Sequence, residues 1–150
     1  MKESPQDKKL NDMLRSSRLA AGGFMGGDRR SVFDVIDADA GILNELGVTK
    51  EQLAERMGRI TDVAQSGLGI WVLIDEKIEA MVDDARGTLV CPWPHPGVCR
   101  KRITTVRVIE TGEHIRWSDL NVHLIGEHGF FEGKGSDFRI EPDKLVRLIF

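Results

Sequence analysis

Thr104-Thr-Val-Arg-Val-Ile109, Glu110-Thr-Gly-Glu113 and His114-Ile-Arg-Trp117 run on without a break, and their reading decides the fold. Apolar and polar side chains alternate on both sides of a short turn that contains glycine. That is the pattern of two antiparallel strands with one buried face. Immediately downstream, Ser118 stands where a helix N-cap is wanted, and the helix it opens runs through Glu127 until Gly129 ends it. After the loop FFEGKGSD, held by Phe130, Phe131 and Phe138, Pro142 sits in the first turn of a last helix. Its missing N–H costs nothing there, and Leu145, Val146, Leu148 and Ile149 give that helix an apolar face.

Upstream of the hairpin, Ile70 to Ile74 is a β-branched and aromatic run. Ile78, Ala80 and Val82 alternate, although Ile78, Met81, Val82 and Ala85 also fit helical spacing; we read a strand over 77–83. Before residue 70 the period changes to that of helices. Leu10, Met13, Leu14 and Ala21 mark a helix over Asp7–Ala21, ended by Gly22-Gly23. Ser31 caps a second, with Val32, Val35, Ile36, Leu43 and Leu46 on its apolar side and Gly47 at its end. Thr49 with Gln52 is a capping box for a third, carried by Leu53, Met57, Ile60 and Ala64 to Gln65 and closed by Gly67-Leu68-Gly69. The expected architecture is therefore α+β: a helical half over about residues 1–69 packed on a small, mainly antiparallel sheet, with C-terminal helices, in one domain spanning 1–150.

The composition, 41% hydrophobic and 30% charged over 150 residues, is that of a globular chain with enough length to bury a core unaided. The net charge of −3 is unevenly spread: residues 1–30 carry +3, residues 31–86 carry −7 and residues 87–150 carry +1. An acidic middle speaks against binding nucleic acid mainly through phosphates. No apolar run reaches the roughly 18 residues of a membrane helix. The opening MKESPQDKKL has no hydrophobic segment behind it, so a cytoplasmic chain with reduced thiols and no membrane partner is expected.

The sharpest chemical constellation is Cys91-Pro-Trp-Pro-His-Pro-Gly-Val-Cys99, followed past the hairpin by His123-Leu-Ile-Gly-Glu-His128. Zinc takes four thiolate and imidazole ligands in a tetrahedron, and Cys91, Cys99, His123 and His128 supply such a set. Either His95 or His114 could replace one cysteine. Pro92, Pro94, Pro96 and Gly97 stiffen the loop and reduce the chain entropy lost on closing it. Residues 91–128 resemble a two-Cys, two-His zinc finger: a cysteine loop, a hairpin, then a helix with a leucine before the first histidine. The resemblance implies zinc as cofactor. Seven residues separate the cysteines and twenty-three separate Cys99 from His123, against two to four and about twelve in that family. The C-terminal run from His123 to Ile149 also resembles a group of uncharacterised bacterial proteins, which implies no activity.

Other features point to rival functions. With an open metal position, Glu127 or Glu132 could serve as base in a metal-dependent hydrolase. Thr49 to Gly58 resembles the opening of a helix-turn-helix, and Arg100-Lys101-Arg102 is a short basic cluster; with the first helix these would form a nucleic-acid-binding face. Asp34, Asp37 and Asp39 lack the glycine and terminal glutamate of a calcium loop and read as a solvated acidic face. The glycine-rich AAGGFMGGD and FFEGKGSDF match no phosphate loop, leaving Lys134 with Arg139 as a candidate pair for a small anion. The reading that absorbs most of this is an intracellular, non-catalytic binding or regulatory module, with a structural zinc and a protein or small-molecule partner.

Overall fold

The structure, a computed structural model, describes residues 4–16 and 23–150. Among them, five helices and four strands follow in the order α1 (Pro5–Arg15), α2 (Val32–Leu46), α3 (Lys50–Gln65), β1 (Val72–Leu73), β2 (Ile78–Val90), β3 (Val98–Val108), β4 (His114–Ser118), α4 (Asp119–His128) and α5 (Pro142–Ile149). The strands form one antiparallel sheet in the order β1-β2-β3-β4, which bears out the α+β expectation. Three of the five helices open with a reciprocal capping box, at Ser4 and Asp7, Thr49 and Gln52, and Ser118 and Asn121. Each box satisfies two backbone donors that the first turn leaves orphaned. The first helix begins earlier than Asp7, at Pro5, and ends at Arg15, short of the expected Ala21, because Ser16 is already extended; residues 17–22 lie outside the described residues.

The hairpin over 104–117 is present, with Thr104 opposite Trp117 and Val106 opposite Ile115. Two neighbouring expectations need correction. The strand expected over 77–83 runs on to Val90, and β3 starts at Val98, so the cysteine loop is the tip of a long β2–β3 ribbon. Pairing shifts from Asp84↔Arg102 to Thr88↔Arg100, which leaves two extra residues in β2; Gly87, at φ +101°, takes the bulge. The solvated, charged sequence DDARG hides this continuation, because it has no apolar alternation to read. The run Ile70–Ile74 contributes only Val72–Leu73 to the sheet.

One face of the sheet carries Ala80, Val82, Val106 and Trp117 against α3, whose Met57, Ile60 and Ala64 are buried with them. Fully burying side chains of this size contributes about 1.5–3 kcal/mol each. Trp117 also donates its Nε1–H to Thr61 Oγ1 at 3.0 Å, and Thr61 bonds Thr104 at 2.7 Å, so the polar atoms taken into this core are paired. The opposite face, toward the ribbon tip, presents Leu89 and Cys99 to a second cluster with Leu14, Phe24, Met25, Val35, Leu124 and Phe130. α4 packs on α3 through Gly126, where a Cβ would stand 2.9 Å from that of Ala54.

The two glycine-rich loops pack on each other. Gly133 N–H donates to Phe24 O at 2.8 Å, Gly27 N–H to Lys134 O at 3.2 Å, and Lys134 N–H to Asp28 Oδ2 at 3.1 Å. A Cβ on Gly133 would fall 2.4 Å from Met25 O, so the absence of a side chain is what lets the backbones meet.

Candidate metal centre

The loop from Cys91 to Gly97 folds back from the ribbon tip onto α4. Gly97, at φ +124°, makes the turn into β3 that no other residue adopts readily. His123 and His128 come to the same place from α4, His128 at its last position before the left-handed Gly129 at φ +64°. One ligand atom from each of Cys91, His95, His123 and His128 lies within 4.8 Å of every other. The individual separations are 3.5 Å for Cys91 Sγ to His128 Nε2, 3.3 Å for His95 Nε2 to His128 Nε2, and 3.1 Å for His123 Nε2 to His95 Nε2. This is a group able to hold a metal ion.

Three of the four residues named from spacing are in the group; its fourth member is His95. Cys99 lines the same pocket, with Pro96, Val98 and Glu127. Its position opposite Leu89 in the ladder fixes it on the ribbon wall, whereas His95 rides on the loop tip and reaches over the histidines. His114, the other substitute, begins β4 opposite Arg107 and is not a member.

The surroundings orient the ligands. His95 Nδ1 lies 3.0 Å from Pro96 O, and a carbonyl oxygen can only accept, so the proton sits on Nδ1 and the Nε2 lone pair faces the group. Trp93 stacks on His128 with ring centroids 4.1 Å apart and planes 7° from parallel, and meets Phe130 edge-on at 5.5 Å. Nothing in the spacing assigns Trp93 this role; an aromatic between two prolines is its only signal. Burial pushes His128 down to about 4, helped by the neighbouring His123 and His95, and burial with the neighbouring His95 lowers His123. Both imidazoles are thus neutral, the form that binds metal. Burial pushes the Cys91 thiol up, so a cation would have to displace its proton. Burial and the nearby Asp119 carboxylate raise Cys99 as well.

The remaining candidates fall elsewhere. Glu127 lines the pocket, while Glu132 lines a separate cavity. Asp39 is not part of a solvated face: it is 2% exposed, with the Arg139 guanidinium at 2.5 and 2.9 Å. The same pairing occupies the arginine that Lys134 would need for an anion. Arg100 pairs with Asp84 at 2.6 Å and Arg102 with Asp119 at 2.8 Å, so two of the three cluster cations face carboxylates. No helix among the described residues is long and apolar enough to cross a membrane.

No family model, no curated protein and no solved structure matches this chain. The resemblance of the C-terminal run to bacterial proteins therefore gains no support, and the zinc-finger resemblance keeps only the Cys/His group itself.

Proposed function

We propose that this chain is a non-catalytic binding or regulatory module, one domain over 1–150, in which zinc held by Cys91, His95, His123 and His128 clamps the tip of the β2–β3 ribbon onto α4. The observation that carries the reading is the spacing of the ligand atoms. A tetrahedron with metal–nitrogen bonds of about 2.05 Å and a metal–sulfur bond of about 2.3 Å has edges of about 3.3 Å between nitrogens and about 3.6 Å between nitrogen and sulfur. Three of the six separations, 3.1, 3.3 and 3.5 Å, are close to that figure, and the other three are within 4.8 Å. One thiolate with three imidazoles suits zinc.

Four protein ligands leave no position for a reactive water, which favours a structural role. Glu127 on the pocket wall supports a second reading, a metal-dependent hydrolase, which requires one ligand to leave. A zinc thiolate and a free Cys99 fit a reducing, intracellular setting such as the cytoplasm. The paired arginines and the acidic middle favour a protein or small-molecule partner over nucleic acid.

Metal content by mass spectrometry, on protein purified without an affinity tag or chelator, tests the reading. About one equivalent of zinc is expected for a single closed site, lost together with thermal stability in a Cys91→Ser, His128→Ala double variant. His95→Ala should lose it too, whereas Cys99→Ser should keep it. The reverse pattern would move the fourth ligand to Cys99. No metal, with two freely titrating thiols, would sink the proposal.

A further inference from the structure

The paired glycine-rich loops close one side of a cavity of 240 Å³ that the metal reading does not use. Its walls are Phe24 and Phe138 from those loops, Leu89 and Ile103 from the ribbon, and Leu120 from α4, with Lys101, Ser118, Ser136 and Asp137 among its polar lining. Glu132, only 5% exposed, is among the residues that line this mainly apolar space, and its carboxyl is bonded to Ser136, which lines it too. The cavity is open on one side, where Lys101 and Asp137 are exposed. An apolar cavity of about 150 Å³ holds benzene, so this one accommodates a single ring and a short side chain.

Glu132 is held there against two costs. Its backbone has φ +68°, a left-handed conformation that non-glycine residues seldom take without a reason. Its carboxyl is taken out of water with neutral partners only, Asn121 Nδ2 donating at 2.8 Å and Ser136 Oγ at 2.5 Å. Arg139 acts on the carboxyl only through space, giving its N–H groups to Asp39, to Glu141 and to the carbonyl oxygen of Glu132. Burial accordingly raises the acid to about 7. Each carboxyl oxygen accepts one hydrogen bond from the protein and keeps a lone pair for another donor. A buried acid whose carboxyl oxygens meet only neutral donors, in a mainly apolar cavity, is complemented by a cation carried on an apolar body.

We propose that this cavity binds a small amine carried on a single aromatic ring or an aliphatic body of that size, its ammonium bonded to the Glu132 carboxylate and its apolar part between Phe24, Leu120 and Phe138. The assignment stands apart from the metal centre, although the two share walls: Leu89 is two residues from Cys91, and Leu120 is one turn before His123.

Benzylamine, with benzyl alcohol and phenylacetate as neutral and anionic counterparts, tests it by amide-resolved NMR titration and calorimetry at pH 8, on the protein before and after chelator treatment. Benzylamine should bind about tenfold more tightly than either counterpart, the margin of a charge-assisted over a neutral hydrogen bond. Shifts should centre on Phe24, Leu120, Glu132 and Ser136, and Glu132→Gln should erase the preference. Equal binding of the three probes, shifts confined to another surface, or no binding would overturn the assignment, and these readouts on the wild-type chain need no variant to fold. Amine binding in a protein that holds no zinc would leave this inference standing and the metal reading fallen; zinc without amine binding would do the reverse.

Discussion

Replacing Glu132 by glutamine should make stability less dependent on pH, with a size and sign fixed by the burial of the carboxyl. The acid titrates near 7 in the folded chain against an ordinary value of 4.5, a difference equivalent to about 3 kcal/mol. Between those two values the folded state binds the proton that the unfolded state has lost. The stabilising contribution of Glu132 is thus full below about pH 4.5, falls as pH rises, and is gone above about 7, where a buried charge remains. Glutamine fits the same partners, accepting from Asn121 and donating to Ser136, but never ionises. Urea melts of the two proteins from pH 4 to 8.5 give the test as a difference curve, in which every other titrating group cancels. The variant should gain on the wild type steadily between pH 4.5 and 7 and level off about 3 kcal/mol higher than where it began. A constant offset added to that slope would reflect only hydrogen-bond geometry. A curve without slope would refute the argument, because it would mean that the Glu132 carboxyl is hydrated in the folded chain.

Other perturbations read other parts of the fold. Asp39→Asn leaves the Arg139 guanidinium, 7% exposed, with Glu141 as its remaining carboxylate; a loss of about 3 kcal/mol is expected in denaturant melts, and a loss under 1 kcal/mol would show the pair to be solvated. Two glycines should respond in opposite senses to alanine. At Gly133 the new Cβ meets Met25 backbone at 2.4 Å, so the loops must part at a cost of about 1–3 kcal/mol. At Gly41, inside α2 with nothing within 4 Å, alanine should instead stabilise by about 0.5–1 kcal/mol; thermal melts that rank the two alike would contradict the close approach of the loops.

What could be read from the sequence depended on whether the signal was local. The helices over 32–46, 50–65, 119–128 and 142–149 carry their own start and stop chemistry in Ser31, Thr49, Ser118, Pro142, Gly47 and Gly129, and their limits fell where those residues stand. The ribbon between Asp83 and Arg102 carried no such signal. Both its faces are largely solvated there, so the two-residue period disappears and only pairing with the opposite strand makes it β-structure. That one omission also affected the candidate site. With Cys99 taken as part of a free loop, both cysteines could be imagined converging with the histidines; with Cys99 paired in a ladder opposite Leu89, the part of the segment outside the ladder is the tip that bears His95. The glycine-rich loops were legible as special backbone, but their partners were each other, more than 100 residues apart in sequence, and no spacing rule reports that.

The seven-residue tip has little else to hold it. Among the described residues its internal backbone bonding includes His95 N–H to Trp93 O at 2.9 Å, and Pro92, Pro94 and Pro96 have no N–H to contribute. Its attachment to α4 consists of the Trp93 ring on His128 and Phe130 and the approach of Cys91 and His95 to the two helix histidines. His123 and His128 are held neutral by burial, and His95 turns its Nδ1–H to Pro96, so nothing on the two helix imidazoles draws the loop in by charge. A divalent cation changes that balance: it turns mutually repelling lone pairs into four bonds and releases the Cys91 proton. It would also set the angle between the ribbon and α4, the two elements that supply Leu89, Ile103 and Leu120 to the cavity of Glu132. If both proposals hold, removing the metal should weaken amine binding, because the ribbon and α4 that the clamp joins also supply walls of that cavity.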